Sequence, residues 1–262
     1  MASIQAQWAD GPFELIPAST TGYKPGQRVK TSQQLAQEMI ILHNIIIRGI
    51  NSIYLQCVNV GRSPESVPDF VEYARLWQHP VHEHHDNEET IVFPRIEDLV
   101  GAPGLMTPNV EQHAAFHGGL DAFSTYIESV KNGSAKYDGG KIREIIDSFM
   151  PVLREHLYDE IQTLLALDRY EDKCDWAAWL RKVHAEIVAQ MQADPSTKHT
   201  LMPMFMHLHD GTFDNDSLPV WPVLPWIAKV VISWIYDRKH KSWWRFAPCD
   251  ISSRPQVLPF VD

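Results

Sequence analysis

The sequence has few cysteines and no dense run of basic residues. Its 262 residues include only Cys57, Cys174 and Cys249, which lie far apart and form no CxxC pair. This number and spacing suit a reducing compartment and argue against a disulfide framework. The net charge is −10 without a cluster of lysine or arginine, so we expect no nucleic-acid partner. The first twenty residues lack a basic region followed by an apolar core, which predicts a cytoplasmic protein without a secretory signal.

Long hydrophobic runs are also missing. The most apolar segment, residues 220–236, is slightly short for a membrane span and contains two prolines and a lysine. A buried or surface-lying helix is therefore expected. Peripheral membrane attachment through residues 226–245, where an apolar run precedes DRKHK and paired tryptophans, is an alternative of low weight because a second anchoring signal is missing. Membrane association is accordingly not expected.

Apolar residues recur every three or four positions in four stretches, which predicts four amphipathic helices. The first begins near Thr31, and the others span about 69–99, 108–131 and 141–168. Pro80 is expected to kink or divide the second helix. Because the connections are short, the sequence predicts an all-α fold, an antiparallel up-down-up-down four-helix bundle.

The pattern divides the chain into three parts. Residues 1–30 look irregular, residues 31–170 form the predicted bundle, and residues 171–262 form a helical, tryptophan-rich C-terminal extension that packs on the bundle.

Each predicted bundle helix carries histidine on its apolar face, and two helices add a carboxylate one turn further along. Residues four apart share one helix face. A carboxylate in a bundle core costs free energy unless it is paired or binds a cation. Imidazole and carboxylate together suit iron, zinc, manganese or copper. The sequence therefore predicts a metal site built from His43, His85, Glu89, His113, His117, His156 and Glu160.

The stretch HEHHDNEE, residues 82–89, leaves two registers open. His84 and Glu88 have the same four-residue spacing as His85 and Glu89. His85 is better centred on the apolar stripe from Val81, which favours the pair His85 and Glu89. The remaining polar residues of the stretch are expected to face water.

Two other metal-binding motifs are absent. The residue three positions after Glu83 is Asp86 rather than histidine, so HExxH, the zinc protease motif, is not formed. No glutamate lies three residues before any of the 13 histidines, which argues against the Glu-x-x-His pattern of ferritin-like proteins.

The remaining pattern resembles the hemerythrin-like, or HHE, family of non-haem di-iron proteins. The resemblance covers about residues 30–170 and rests on His43, HDNEE, HAAFH and HLYDE, with EETIVFP after the second motif. The tail WWRFAPCD is similar to extensions of fungal members. In the oxygen carriers of the family, the last carboxylate is an aspartate five residues after its histidine, whereas Glu160 follows His156 by four. This departure bears on the carrier function more than on the metal site.

The resemblance implies a ligand assignment for two iron ions. One iron would be held by His113, His117 and His156, and the other by His43 and His85. Glu89 and Glu160 would bridge both, together with an oxo or hydroxo group. The second iron would then have an open position for O2, NO or peroxide, and no catalytic residue is expected beyond the metal ligands.

Two functions from different classes remain open. One is reversible binding of O2, NO or peroxide at the open iron. The other is an O2-dependent di-iron oxidoreductase that acts on a small organic substrate, such as a secondary metabolite. In that case the extension would help to form the pocket, with His207 and His209 in its wall, although ordinary packing is the favoured interpretation of that methionine-rich segment.

Overall fold

The computed structural model describes residues 8–24, 27–193, 195–219, 221–222 and 226–261. Every long element in these ranges is helical, and their β structure is limited to one isolated bridge between Cys249 and Pro255. The predicted all-α fold is confirmed.

The bundle consists of four helical columns, the second of which has three segments. The columns are α1 (Thr31–Val60); α2 (Val67–Asn87), a π-helical turn (Glu88–Val92) and α3 (Phe93–Val100); α4 (Thr107–Lys131); and α5 (Gly139–Leu165). Helices α1 and α4 each pack against both α2 and α5, so neighbours along the chain are also neighbours in space. Pro80 lies inside α2 without dividing it.

Shorter elements make up the extension and the connections. The extension contains α6 (Trp176–Ala193), α7 (Pro195–Leu208), α8 (Trp226–Val231), a second π-helical turn (Ile232–Tyr236), α9 (Asp237–Lys239) and α10 (Lys241–Trp244). Single 3₁₀ segments occupy Ala18–Thr21, Pro64–Ser66, Ala166–Lys173 and Phe213–Asp216.

The extension packs on the bundle at two places. Met204, Leu208 and Trp244 belong to the main hydrophobic core between the four columns. Trp176 and Trp179 of α6 belong to a second cluster that covers the end of the bundle near α3. Apolar burial of this kind stabilises the attachment of the extension to the bundle.

The segment before the bundle is fixed to α1 by two buried asparagines. Asn44 exchanges two hydrogen bonds with the backbone of Ile16, at 2.8 and 2.9 Å. The Asn51 side chain donates to the carbonyls of Ala9 and Phe13, both at 2.8 Å. The described part of this irregular segment therefore has fixed partners on the bundle. Within the described ranges, the structure has no helix with the length and apolar character needed to cross a bilayer.

Candidate metal centre

Two clusters of buried ligand side chains meet between the four columns. One consists of His85, Glu88, His113 and His156, and the other of His43, His84, Glu88 and Glu160. In each cluster, one nitrogen or oxygen per residue lies within 4.8 Å of the corresponding atoms of the others, so one ion could be held by all four. Because Glu88 belongs to both clusters, the two clusters are continuous.

Distances between ligand atoms show how the two carboxylates join the clusters. Glu88 Oε1 lies 3.1 Å from His84 Nε2, whereas Glu88 Oε2 lies 3.5 Å from His113 Nε2. Glu160 Oε2 lies 3.2 Å from His43 Nε2 and 4.0 Å from His156 Nε2. Each carboxylate therefore lies close to histidines of both clusters.

The outer nitrogens of three histidines set the tautomer of their rings. Each Nδ1 lies beside an oxygen that can only accept a hydrogen bond, so each Nδ1 carries the proton. The acceptors are the Leu157 carbonyl for His43 at 2.7 Å, Glu89 Oε1 for His113 at 2.8 Å and Gln112 Oε1 for His156 at 3.1 Å. The inner Nε2 atoms are left with lone pairs, as in metal-binding histidines that are oriented by an outer acceptor.

Several buried polar atoms in the clusters make no hydrogen bond with the described residues. They are Nε2 of His85 and both carboxylate oxygens of Glu88 and of Glu160. Buried acceptors without donors cost free energy. Here the unpaired nitrogen and carboxylate oxygens face the Nε2 lone pairs of other histidines. Lone pairs that face one another repel, and a cation bound between them removes this repulsion. The residues present thus fit two metal ions.

Burial also sets the protonation of the metal-free centre. It lowers the pKa of His43 and of His156 to about 3 and holds those of His84 and His85 well below the ordinary value. Burial, and then the neighbouring Glu160, raises the pKa of Glu88 well above its usual range. The imidazoles are therefore ready to bind a metal, whereas ionisation of the carboxyls is favoured only when a cation compensates their charge.

Helical phase explains which acid of HEHHDNEE points inward. At about 100° per residue, Glu88 lies about 40° from His84 and about 60° from His85, so its direction falls between theirs. Glu89 lies outside that pair. The sequence signal for Glu88 is that it follows His85 by three residues and His84 by four, so it shares a helix face with both. The prediction of Glu89 took into account only its spacing from His85.

The π-helical turn begins at this same glutamate. The Phe93 N–H donates to the Glu88 carbonyl five residues earlier. Pro94 follows, and proline lacks an N–H and crowds the carbonyl four residues before it. A widened turn accommodates this conflict, and such turns are frequent at functional sites.

The structure brings five of the seven predicted ligands together and leaves two outside. His43, His85, His113, His156 and Glu160 belong to the clusters, with His84 and Glu88 as the other members. The centre therefore still has five histidines and two carboxylates.

Glu89 and His117 lie outside both clusters, each with a different environment. The Glu89 side chain is 38% exposed and accepts a hydrogen bond from the outer nitrogen of His113, Nδ1, instead of facing the other cluster ligands. His117 is half-buried on the flank of α4, where its ring stacks on Phe116 and lies 6.2 Å from the ring of His82. Phe116, which is buried, takes the inward position next to His113.

Comparison with known proteins identifies the class. The model of the hemerythrin HHE cation-binding domain matches residues 37–167, and the chain belongs to this family, as the sequence motifs predicted. It is 33% identical over 261 residues to "Dimeric xanthone biosynthesis cluster protein R11" of Cryptosporiopsis sp. (strain 8999), covering 98% of this chain and 95% of that protein. No solved structure gives a significant match. The protein is thus a cation-binding HHE-domain protein with a fungal relative of nearly the same length.

Proposed function

We propose that the protein binds two iron ions in the paired clusters and uses them to bind O2. The observation that carries the proposal is the shared carboxylate of Glu88, whose two oxygens lie 3.1 and 3.5 Å from histidines of different clusters. Imidazole and carboxylate ligands suit iron. When bound, ferrous iron supplies the electrons for O2 binding that the protein side chains lack.

The unequal ligand sets support binding at one of the two positions. The cluster of His85, His113 and His156 offers three imidazoles, whereas the cluster of His43 and His84 offers two. With both carboxylates shared, the second cluster has one protein ligand fewer, which would leave a coordination position for a small molecule. His84 is the cluster histidine nearest to solvent, with 10% of its side chain exposed against none for His43. The second cluster is therefore the one whose ligands include a partly exposed side chain.

Metal analysis combined with spectroscopy tests this function. Freshly purified protein is expected to contain about two irons per chain, and the reduced protein is expected to gain a visible absorption band with O2 that disappears when O2 is removed. Zinc alone, or no metal, in protein expressed with ample iron would refute the proposal.

A second candidate, an O2-dependent oxidoreductase, is favoured by the relative. That protein is named for a xanthone biosynthesis cluster, and its similarity extends through the C-terminal extension as well as the bundle, over 98% of this chain. In this case the iron pair would oxidise a small aromatic metabolite while the protein controlled its orientation and the access of water.

An oxygen electrode distinguishes the two candidates. A binding protein takes up no more O2 than its iron pair can hold and releases it again. An oxidoreductase consumes O2 continuously when its substrate is added, and a panel of xanthone-type phenols is the appropriate first set. Continuous uptake that depends on a phenol would replace the binding function with the enzymatic one.

A further inference from the structure

The extension exposes an apolar face of unusual size for this protein. Trp226, Val230 and Trp234 recur every four residues and are 73%, 44% and 62% exposed, and Ile235 beside them is 59% exposed. These four residues define the 226–235 face. Ile232, in the same segment, is only 7% exposed, and the π-helical turn to which it belongs packs against α7. The segment is therefore amphipathic, with one side on the protein and the other in solvent.

A cluster of cations follows this face directly. Arg238, Lys239, Lys241 and Arg245 are exposed, and the Arg238 guanidinium lies 4.3 Å from the centre of the Trp234 ring. These four residues define the 238–245 cations. Their number is notable because the whole chain has a net charge of −10.

Few acids neutralise these cations. Asp237 is engaged by His207 Nε2 at 2.7 Å, and Asp69 lies 3.5 Å from Arg245. Arg238, Lys239 and Lys241 form no ion pair with any carboxylate that the structure describes. The surface beside the 226–235 face is thus locally positive and complementary to an anionic partner.

We propose that the 226–235 face and the 238–245 cations bind the surface of an anionic lipid bilayer. Tryptophan is enriched at the level of the lipid headgroups, and lysine and arginine are attracted to anionic lipids within about one Debye length. The binding of an amphipathic segment to a bilayer strengthens with the apolar area that it buries and with the attraction of its cations to anionic lipids. The sequence alone showed an apolar run and a basic run, whereas the structure places both in solvent and next to each other.

The geometry favours a bilayer over a folded protein partner. The four apolar side chains project from one short segment, and Arg238 lies against the Trp234 ring. A side chain with this arrangement can bury its apolar part while its charged end stays in the headgroup layer. The attachment is peripheral, which is consistent with the absence of a spanning helix in the described ranges.

Vesicle co-sedimentation of the full-length, metal-loaded protein tests the proposal. The wild type is expected to bind vesicles of phosphatidylcholine with about 30% phosphatidylserine, to bind pure phosphatidylcholine much more weakly, and to be released by raised salt. A double variant, Arg238→Glu with Lys241→Glu, is expected to bind at least about 25-fold more weakly, since each cation contributes about fivefold. A second double variant, Trp226→Ser with Trp234→Ser, is expected to lose most of the binding.

Controls lie elsewhere on the surface. Val257→Ser changes an apolar side chain that is 81% exposed, and Lys182→Glu reverses an exposed cation on α6. Both are expected to bind within about twofold of the wild type, and metal content and helicity are expected to be unchanged in all variants. Absence of binding to anionic vesicles at low salt, or equal binding by wild type and both double variants, would overturn the proposal. A dimer that Trp226→Ser with Trp234→Ser dissociates would assign the face to a second copy of the chain and would equally overturn it.

Discussion

Replacing Glu88 by glutamine is expected to change stability in opposite directions with and without metal. In the metal-free protein, burial and then Glu160 raise the pKa of the Glu88 carboxyl well above its ordinary value of 4.5. Stability from such a group is present at low pH and is lost as the pH rises through the folded-state pKa. Glutamine has the same shape without this cost, so Glu88→Gln is expected to stabilise the metal-free protein at pH 7.5 by about 1 kcal/mol or more. The gain is expected to disappear as the pH falls towards 4.5.

With metal present, Glu88→Gln is expected to destabilise the folded protein. A ligand at 100 times its Kd stabilises the folded state by about 2.7 kcal/mol. If loss of the shared carboxylate raises the Kd about 100-fold, only about 0.4 kcal/mol remains, which is a loss of about 2.3 kcal/mol for each ion. Because Glu88 belongs to both clusters, both ions are affected.

Denaturant unfolding of stripped and iron-loaded protein under anaerobic conditions, together with metal titration, measures both effects. The matched control is Glu89→Gln, one residue further on. Its amide oxygen can still accept the hydrogen bond from His113, and its side chain is 38% exposed, so metal-free stability is expected to change little and metal affinity by no more than about tenfold. Two ions bound by Glu88→Gln with wild-type affinity, or their loss in Glu89→Gln, would refute the assignment of Glu88 as the shared ligand.

Three further changes have defined outcomes. His117→Ala is expected to keep two metals per chain with affinity within about threefold in metal titrations, because this histidine lies outside both clusters. Gly119→Ala would place a Cβ 2.4 Å from Phe149 Cβ and is expected to lower the free energy of unfolding, measured in urea, by about 1–3 kcal/mol. The matched control is Gly118→Ala, whose added Cβ would have nothing within 4 Å; it is expected to raise the free energy of unfolding by up to about 1 kcal/mol. In the metal-free protein, burial lowers the pKa of His43 from 6.5 to about 3, so the stability that depends on neutral His43 is present above pH 6.5 and is lost as the pH falls. At pH 5 this effect is expected to lower the free energy of unfolding by about 2 kcal/mol. A stability difference between His43→Asn and wild type that is the same at pH 7.5 and at pH 5 would contradict it.

The fold was predictable because each bundle helix buries a continuous apolar stripe. The predicted starts and ends near Thr31, 108–131 and 141–168 agree with α1, α4 and α5 within about three residues, as expected when periodicity and loop residues coincide. The shape of the second column was harder to predict from the sequence. Its widened turn depends on how the chain around Pro94 resolves a lost hydrogen bond, and hydrophobic periodicity carries no information about that choice.

Contacts between residues far apart in the chain were the hardest to predict from the sequence. His207 Nδ1 donates to the Cys249 carbonyl at 2.7 Å, and His207 Nε2 lies 2.7 Å from Asp237 Oδ1. Asn44 and Asn51 hold the backbone of the N-terminal segment. Such contacts join segments about 30 to 40 residues apart, and nothing in the local sequence specifies the partner. The metal-ligand types could be predicted because each lies on a helix face, whereas their grouping required the packing of all four columns.

Charge balance connects the geometry of the centre with its proposed chemistry. Two divalent ions would bring four positive charges, and the shared carboxylates Glu88 and Glu160 supply two negative charges when ionised. His43, His84, His85 and His156 add none, because burial keeps these four histidines neutral. Glu89 adds part of one charge at a distance, through the His113 ring. In a buried site such an excess of positive charge is costly. It favours an anionic ligand, such as hydroxide, over neutral water. A third carboxylate in place of His85 would supply that negative charge from the protein, so the adjacent pair His84 and His85 is the feature of HEHHDNEE that leaves the charge to be supplied by a ligand from solvent.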